Sequence, residues 1–350
     1  MNRFLASFSA GPLADLERHF RPFHWREALL CAPALPLLLY AGFVTGQPLR
    51  GAIAAGAAFS VGFGAVRELG GRRWGAMAGA TLAMTLAAMA GSLAGQWLPV
   101  LIVLTAVAAG LCARLALLNE ELWWVALQAT IAFFVAGYYA GPPIEALARG
   151  AAVCAGGLIQ MALVLGLRRL VPRPRAPDPA AVDKPPPEPG VARVHALRAA
   201  VGVALCAMAA HALGLANSYW APMTALLVLK PGLSETQARG LQRLAGTVGG
   251  CLAAGAFATL AASHLWAMLA AIALTAGLAF GLQKASYAVF TTAVTATVVL
   301  FLSIGRGAAI ATAEHRLEAT LLGGAIALVV ARIAHRPRAA APEAEDRIGA

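Results

Sequence analysis

Apolar stretches of roughly 17 to 25 residues recur along the whole chain, each long enough to cross a hydrocarbon core of about 30 Å as a helix. Only short segments separate them, and those segments hold most of the basic residues. Charged residues make up 12% of the total, against about 25% in a soluble domain. That leaves too little polar surface to wrap so apolar a chain in water. Within a bilayer the backbone must satisfy its own hydrogen bonds, so repeated apolar runs of this length are read as α-helices. The expected class is an all-α integral membrane protein.

Six such segments precede residue 170, at about 27–45, 49–66, 74–95, 97–118, 122–140 and 146–167. Six more follow, at about 197–215, 219–230, 243–262, 265–282, 285–303 and 314–334. Between the two groups, Val171–Gly190 is dense in proline and charge, a composition that stays extended and solvated. The chain thus divides into a basic leader at 1–26, a first membrane repeat at 27–170, a Pro-rich cytoplasmic linker at 171–195, a second repeat at 196–336 and a disordered tail at 337–350. The leader, with Arg3, Arg18, Arg21 and Arg26 among aromatic and leucine side chains, reads either as an interfacial helix or as a disordered basic arm.

The net charge of +11 sits in the short segments between apolar runs, which is the positive-inside pattern rather than a nucleic-acid face. With a cytoplasmic N-terminus, Arg67, Arg72, Arg73, Arg114, the 168–175 cluster, Lys230, Arg239, Arg243, Lys284, Arg332, Arg336 and Arg338 all fall inside. Arg50, Arg149, Arg306 and Arg316 fall outside. This asymmetry predicts about 12 transmembrane helices with both termini cytoplasmic. Ten is the alternative, since 49–66 and 219–230 are the weakest spans.

Spacings recur between the halves. Arg149 precedes Gly156-Gly157 by seven residues, and Arg316 precedes Gly323-Gly324 by seven. Arg73 precedes Gly79 by six, as Arg243 precedes Gly249. Six helices in each half make the expected arrangement two parallel six-helix repeats.

The richest stretch runs from Trp220 to Thr247. The apolar run from Tyr219 to Lys230 would rise only about 18 Å as a helix, well short of the core, and Pro231-Gly232 breaks it. Ser234 with Gln237 fits a capping box, which predicts a new helix from Glu235. Glu235, Arg239 and Arg243 then share a broad helical sector. Free amides and a positive dipole end beside two arginines make an electropositive feature suited to an organic carboxylate. The bland alternative has both arginines reaching anionic headgroups.

These residues resemble the signature of the fusaric acid resistance / aromatic acid exporter family: W-A-x-x-T, V-x-x-P and T-x-x-R-x-x-x-R-x-x-G-T. The pattern falls on Trp220, Ala221, Thr224, Val228, Pro231, Thr236, Arg239, Arg243, Gly246 and Thr247. The resemblance implies an inner-membrane protein that exports aromatic or other organic carboxylates, driven by an ion gradient. Its substrate-binding candidates are Arg239, Arg243, Trp220, Thr224 and Thr236, with Pro222, Pro231, Glu235, Gly246 and Thr247 as the structural signature. Family members commonly carry large cytoplasmic domains, so this chain resembles a compact form. The Trp-Ala-Pro and Thr-x-x-Arg elements occur only in the second half.

Elsewhere, His211 lies inside an apolar run, where an isolated ionisable group is a candidate for proton coupling. Glu314 and Glu318, on one face of the last helix with Arg316 turned away, are candidates for the same role or a solvated helix start. Cys31, Cys112, Cys154, Cys206 and Cys251 form no CxxC pair and read as small core residues. No HExxH, GxSxG or Walker A pattern occurs, so no enzyme activity, cofactor or metal is expected. The expected partners are membrane lipid, a small organic anion, a periplasmic adaptor protein and further copies of the chain. An organic-anion channel and a non-transport scaffold in envelope assembly are the competing functions.

Overall fold

The computed structural model describes residues 23–72, 74–171, 189–261, 264–304 and 309–333. Most of the expected leader, the middle of the linker, Arg73 and the whole tail lie outside them. The described residues are helical apart from short turns and one isolated bridge at Leu69 and Arg72. In chain order the first half forms α1 (Trp25–Cys31), α2 (Ala34–Val44), α3 (Pro48–Gly62), a 3-10 turn (Phe63–Val66), α4 (Gly75–Ala94), α5 (Leu98–Leu118), α6 (Glu120–Tyr138) and α7 (Pro143–Leu167). The second half forms α8 (Pro189–Ala212), α9 (Trp220–Val228), α10 (Leu233–Ala261), α11 (Leu265–Gly281), α12 (Tyr287–Ser303) and α13 (Ala309–Ile333).

Local chemistry explains many of these boundaries. Pro33 interrupts the first span, because proline has no amide to donate and splits it into α1 and α2. Pro48, Pro99 and Pro143 each sit in a first turn, where the missing donor costs nothing. Asn119 caps α6, its side chain accepting from the Leu122 amide at 2.9 Å. Ser286 stands in the same relation to Val289 in α12. Pro222 occupies the first turn of α9.

Among the described residues, eight spans are long and apolar enough to cross a membrane, the first of them built from α1 and α2 together. The expectation of about 12 spans is thus met in part. Helices α11 and α12 are shorter apolar helices, and α9, with nine residues, rises only about 14 Å. Two boundaries differ from the sequence expectation. Helix α8 begins at Pro189, not near residue 197, because the end of the Pro-rich segment places a proline at the first helical position. Helix α10 begins at Leu233, not Glu235, and continues unbroken for 29 residues. Ser234 is an exposed residue of its first turn and caps nothing.

Packing is arranged by small residues. A Cβ on Gly42 would come 2.7 Å from the Gly51 Cα, so α2 and α3 cross backbone to backbone. A Cβ on Gly246 would meet the Ala288 carbonyl at 2.5 Å, and one on Gly250 the Thr292 carbonyl at 2.6 Å, fixing α10 against α12. Helix α4 packs along α6 and α7, and α3 along α7. In the second half α10 packs along α12 and α13, and α9 along α13. Across the halves, α5 lies against α8 and α11 against α1. The cores follow these contacts: Leu30 and Leu35 join Ile272 and Phe280 in one, Ala109 and Cys112 join Val203 and Cys206 in the other. All five cysteines are free thiols. Outward faces carry large apolar side chains such as Val107, Leu252 and Leu260, as a surface solvated by acyl chains requires.

Candidate functional site

The break at Pro231-Gly232 is built around Thr236. Its Oγ1 accepts from the Lys230 amide at 3.0 Å and donates to the Gly232 carbonyl at 2.8 Å. Thr236 is fully buried and does not line the cavity described below, so its structural task is to close the turn that lets α9 end and α10 begin. Arg198 Nη1, from α8, donates to the Pro231 carbonyl at 3.0 Å and ties the same turn to its neighbour. A Thr236→Val variant strands the Lys230 amide, at a cost of about 1–3 kcal/mol. A lower melting temperature in detergent is expected for it, with Thr236→Ser close to wild type.

From that turn α10 carries Arg239 and Arg243 inward. They border a cavity of about 690 Å³ lined by side chains of both halves. Its Lys and Arg residues are Arg67, Arg149, Lys230, Arg239, Arg243 and Arg316, His195 also borders it, and among the described residues no Asp or Glu lines it. Much of the remaining wall is apolar or aromatic, with Phe59, Phe63, Trp123, Trp124 and Phe290 from α3, the turn after it, α6 and α12. Such a wall gives the charges little solvent screening, and a desolvated charge is costly unless paired.

The cations are distributed along the cavity. The Arg67 guanidinium lies 3.4 Å from Glu120 and faces the rings of Trp123 and Trp124 at 5.9 and 5.5 Å. Burial lowers the Arg67 pKa, and Glu120 acts in the opposite sense. Burial and then the charge of Arg239 hold the Lys230 ammonium below its ordinary pKa. The guanidinium carbon of Arg239 sits 3.3 Å from the Tyr287 ring centroid, a close cation–π stack. Arg243, one helical turn further along, is 5% exposed, and its Nε has no hydrogen-bond partner.

Another part of the cavity is bordered by aromatic side chains from both halves. Tyr138, Tyr139, Tyr219 and Trp220 pack ring against ring. Asn217, at φ 53°, joins them: its amide donates to the Tyr138 hydroxyl at 3.1 Å, and its Oδ1 accepts from the Tyr139 hydroxyl at 3.3 Å. Beside this plug lie Arg149 and Arg316, the latter 4% exposed with its guanidinium 5.0 Å from the Trp220 centroid.

The other sequence candidates are placed as follows. Trp220 is buried in the cavity wall. Thr224 is buried behind that wall, against Gly323 of α13. Gly246 and Thr247 are buried at the crossing of α10 with α12, and Glu235 is exposed. His211, Glu314 and Glu318 are exposed, and none of them lines the cavity. Arg67, Arg149, Arg316 and Tyr287 were not among the sequence candidates. The repeated seven-residue spacing from Arg149 and Arg316 to their glycine pairs was the one signal pointing to two of them.

Helices of spanning length around a cationic, aromatic cavity define the class: a polytopic membrane protein. Residues 205–330 match the model of the family described as fusaric acid resistance protein-like, which supports placing the chain in that family through its second half. No curated protein and no solved structure matches the chain.

Proposed function

We propose that the protein carries aromatic or other organic carboxylates outward across the bacterial inner membrane, drawing on an ion gradient. The observation that carries this reading is the charge of the cavity, with six Lys and Arg side chains and, among the described residues, no acidic one at its wall. Buried guanidinium groups without a carboxylate partner favour an anion that enters from outside the protein. The aromatic wall offers a flat apolar body a place to stack beside those charges. Arg239 and Arg243 then meet the anionic group, with Trp220 beside it, and the remaining aromatic side chains meet the ring. His211, Glu314 and Glu318 have no part in holding the anion in this reading.

We further infer that the halves are parallel repeats. The packing of α10 with α12 and α13 matches that of α4 with α6 and α7, and α9 with α13 matches α3 with α7. A Cβ on Gly156 would strike the Ala54 carbonyl, and one on Gly323 the Ala221 carbonyl, a correspondence that follows the arginine spacing. The placement of both termini on the cytoplasmic side rests on the distribution of Lys and Arg between loops.

The test is flux of labelled benzoate from proteoliposomes under an imposed pH gradient. Saturable flux that responds to the gradient is expected. Non-saturating flux at far higher rates would replace the carrier with a channel, and no flux above protein-free vesicles would contradict the reading.

A further inference from the structure

Arg149 and Arg316 hold matching places in the two halves, seven residues before the glycine pairs of α7 and α13. Both border the cavity. Their bonding is entirely different. Arg149 Nη1 donates to Ser92 Oγ at 3.0 Å, to the Ala136 carbonyl at 3.1 Å and to the Tyr139 carbonyl. Ala136 lies in the last turn of α6 and Tyr139 just past its end, where carbonyls have no intrahelical donor. Arg149 therefore supplies donors to a helix end, and its guanidinium also faces the Tyr139 ring at 5.9 Å.

Arg316 shows no such commitment. It is 4% exposed, its Nε has no partner, and its guanidinium faces Trp220. Arg243 borders the same cavity, itself 5% exposed with an unpartnered Nε. Two buried guanidiniums on one cavity wall, with no carboxylate among the described residues that line it, form a site that an anion completes. A carboxylate or comparable planar oxyanion presents two oxygens to such a pair of forks.

We propose that the anionic group of the ligand docks between Arg243 and Arg316 against the Trp220 face, and that Arg149 is a positioning residue that holds the end of α6 and the Tyr139 plug. This rests on the reading of the cavity as an organic-anion site and adds the orientation of the ligand within it. The acid group lies toward the second half, and the apolar body toward Phe59, Phe63 and Trp124 of the first.

The test measures benzoate affinity on the purified full chain in detergent, together with benzoate flux in proteoliposomes, for wild type, R316Q, R316K, R149Q and R149K. R316Q is expected to weaken affinity by about 30-fold or more, the consequence of removing one partner of a buried charge pair. R316K should recover only part of it, since a point charge replaces a planar fork. R149Q should keep its affinity within about threefold while lowering the maximal flux, with R149K intermediate. Because R316K retains the charge, poor folding of R316Q leaves the comparison intact. Unchanged affinity in R316K and R316Q overturns the proposal, as does an equal loss in R149Q, or a wild type that does not bind benzoate. Binding without flux in wild type leaves the site standing and removes the transport reading instead.

Discussion

Replacing Arg243 with glutamine is expected to reduce benzoate flux by at least about 30-fold at sub-saturating substrate, while the protein still inserts and purifies. Arg243 is the buried member of the signature pair, 5% exposed and with an unpartnered Nε. Losing one side of a buried charge pair costs about 2–5 kcal/mol of binding, which is about 30-fold at its lower bound. Arg239→Gln should have a smaller effect. Its guanidinium is only half-buried and spends part of its interaction on the Tyr287 ring at 3.3 Å. The expected order, Arg243 well ahead of Arg239, separates this account from a headgroup-anchoring role. Anchoring at the membrane surface would weight the more exposed arginine at least as heavily. Flux measured at equal protein per vesicle checks it.

The second large effect concerns stability and sets adjacent residues apart. A Cβ on Gly323 would run into the Ala221 carbonyl and come 2.9 Å from the Thr224 Cβ, whereas nothing lies within 4 Å of one on Gly324. Gly323→Val should force α13 away from α9 at a cost of about 1–3 kcal/mol or more, and Gly323→Ala should show a reduced form of the same effect. Gly324→Ala should be neutral or slightly stabilising, since alanine loses less chain entropy in a helix. Thermal unfolding in detergent reads both. Because α9 carries Trp220 into the cavity, Gly323→Val is also expected to depress flux, and Gly324→Ala is not.

Much of this architecture was legible from composition and spacing. The apolar runs gave a helical membrane protein, and the shortness of the 219–230 run gave a helix that cannot span. The Pro231-Gly232 break and the signature arginines pointed to the right turn. What local pattern could not supply was the direction in which charged residues face once helices pack. Arg316 lies between Glu314 and Glu318, and that composition reads as a solvated helix start. At about 100° per residue, though, Arg316 lies opposite the two glutamates, and the fold buries that side while leaving theirs exposed. Arg149 was obscured differently, since Glu145 one turn earlier on the same side makes it read as an ordinary i,i+4 pair. The start of α10 was misplaced because Ser234 and Gln237 imitate a capping box, whereas the turn is closed from within by Thr236. Tyr287 and the plug of Tyr138, Tyr139 and Tyr219 are long-range contacts with no local signature at all.

The central claim is that the cavity selects for negative charge because its own unpaired charges are positive. Flux of benzoate compared with benzylammonium, in the same proteoliposomes and at matched concentration, tests it most directly. The two share an aromatic ring and differ in the sign of the attached group, so stacking and size are held nearly constant. Saturable benzoate flux with benzylammonium at the rate of protein-free vesicles is the predicted result. Equal flux of both ions, or preference for the amine, would contradict it.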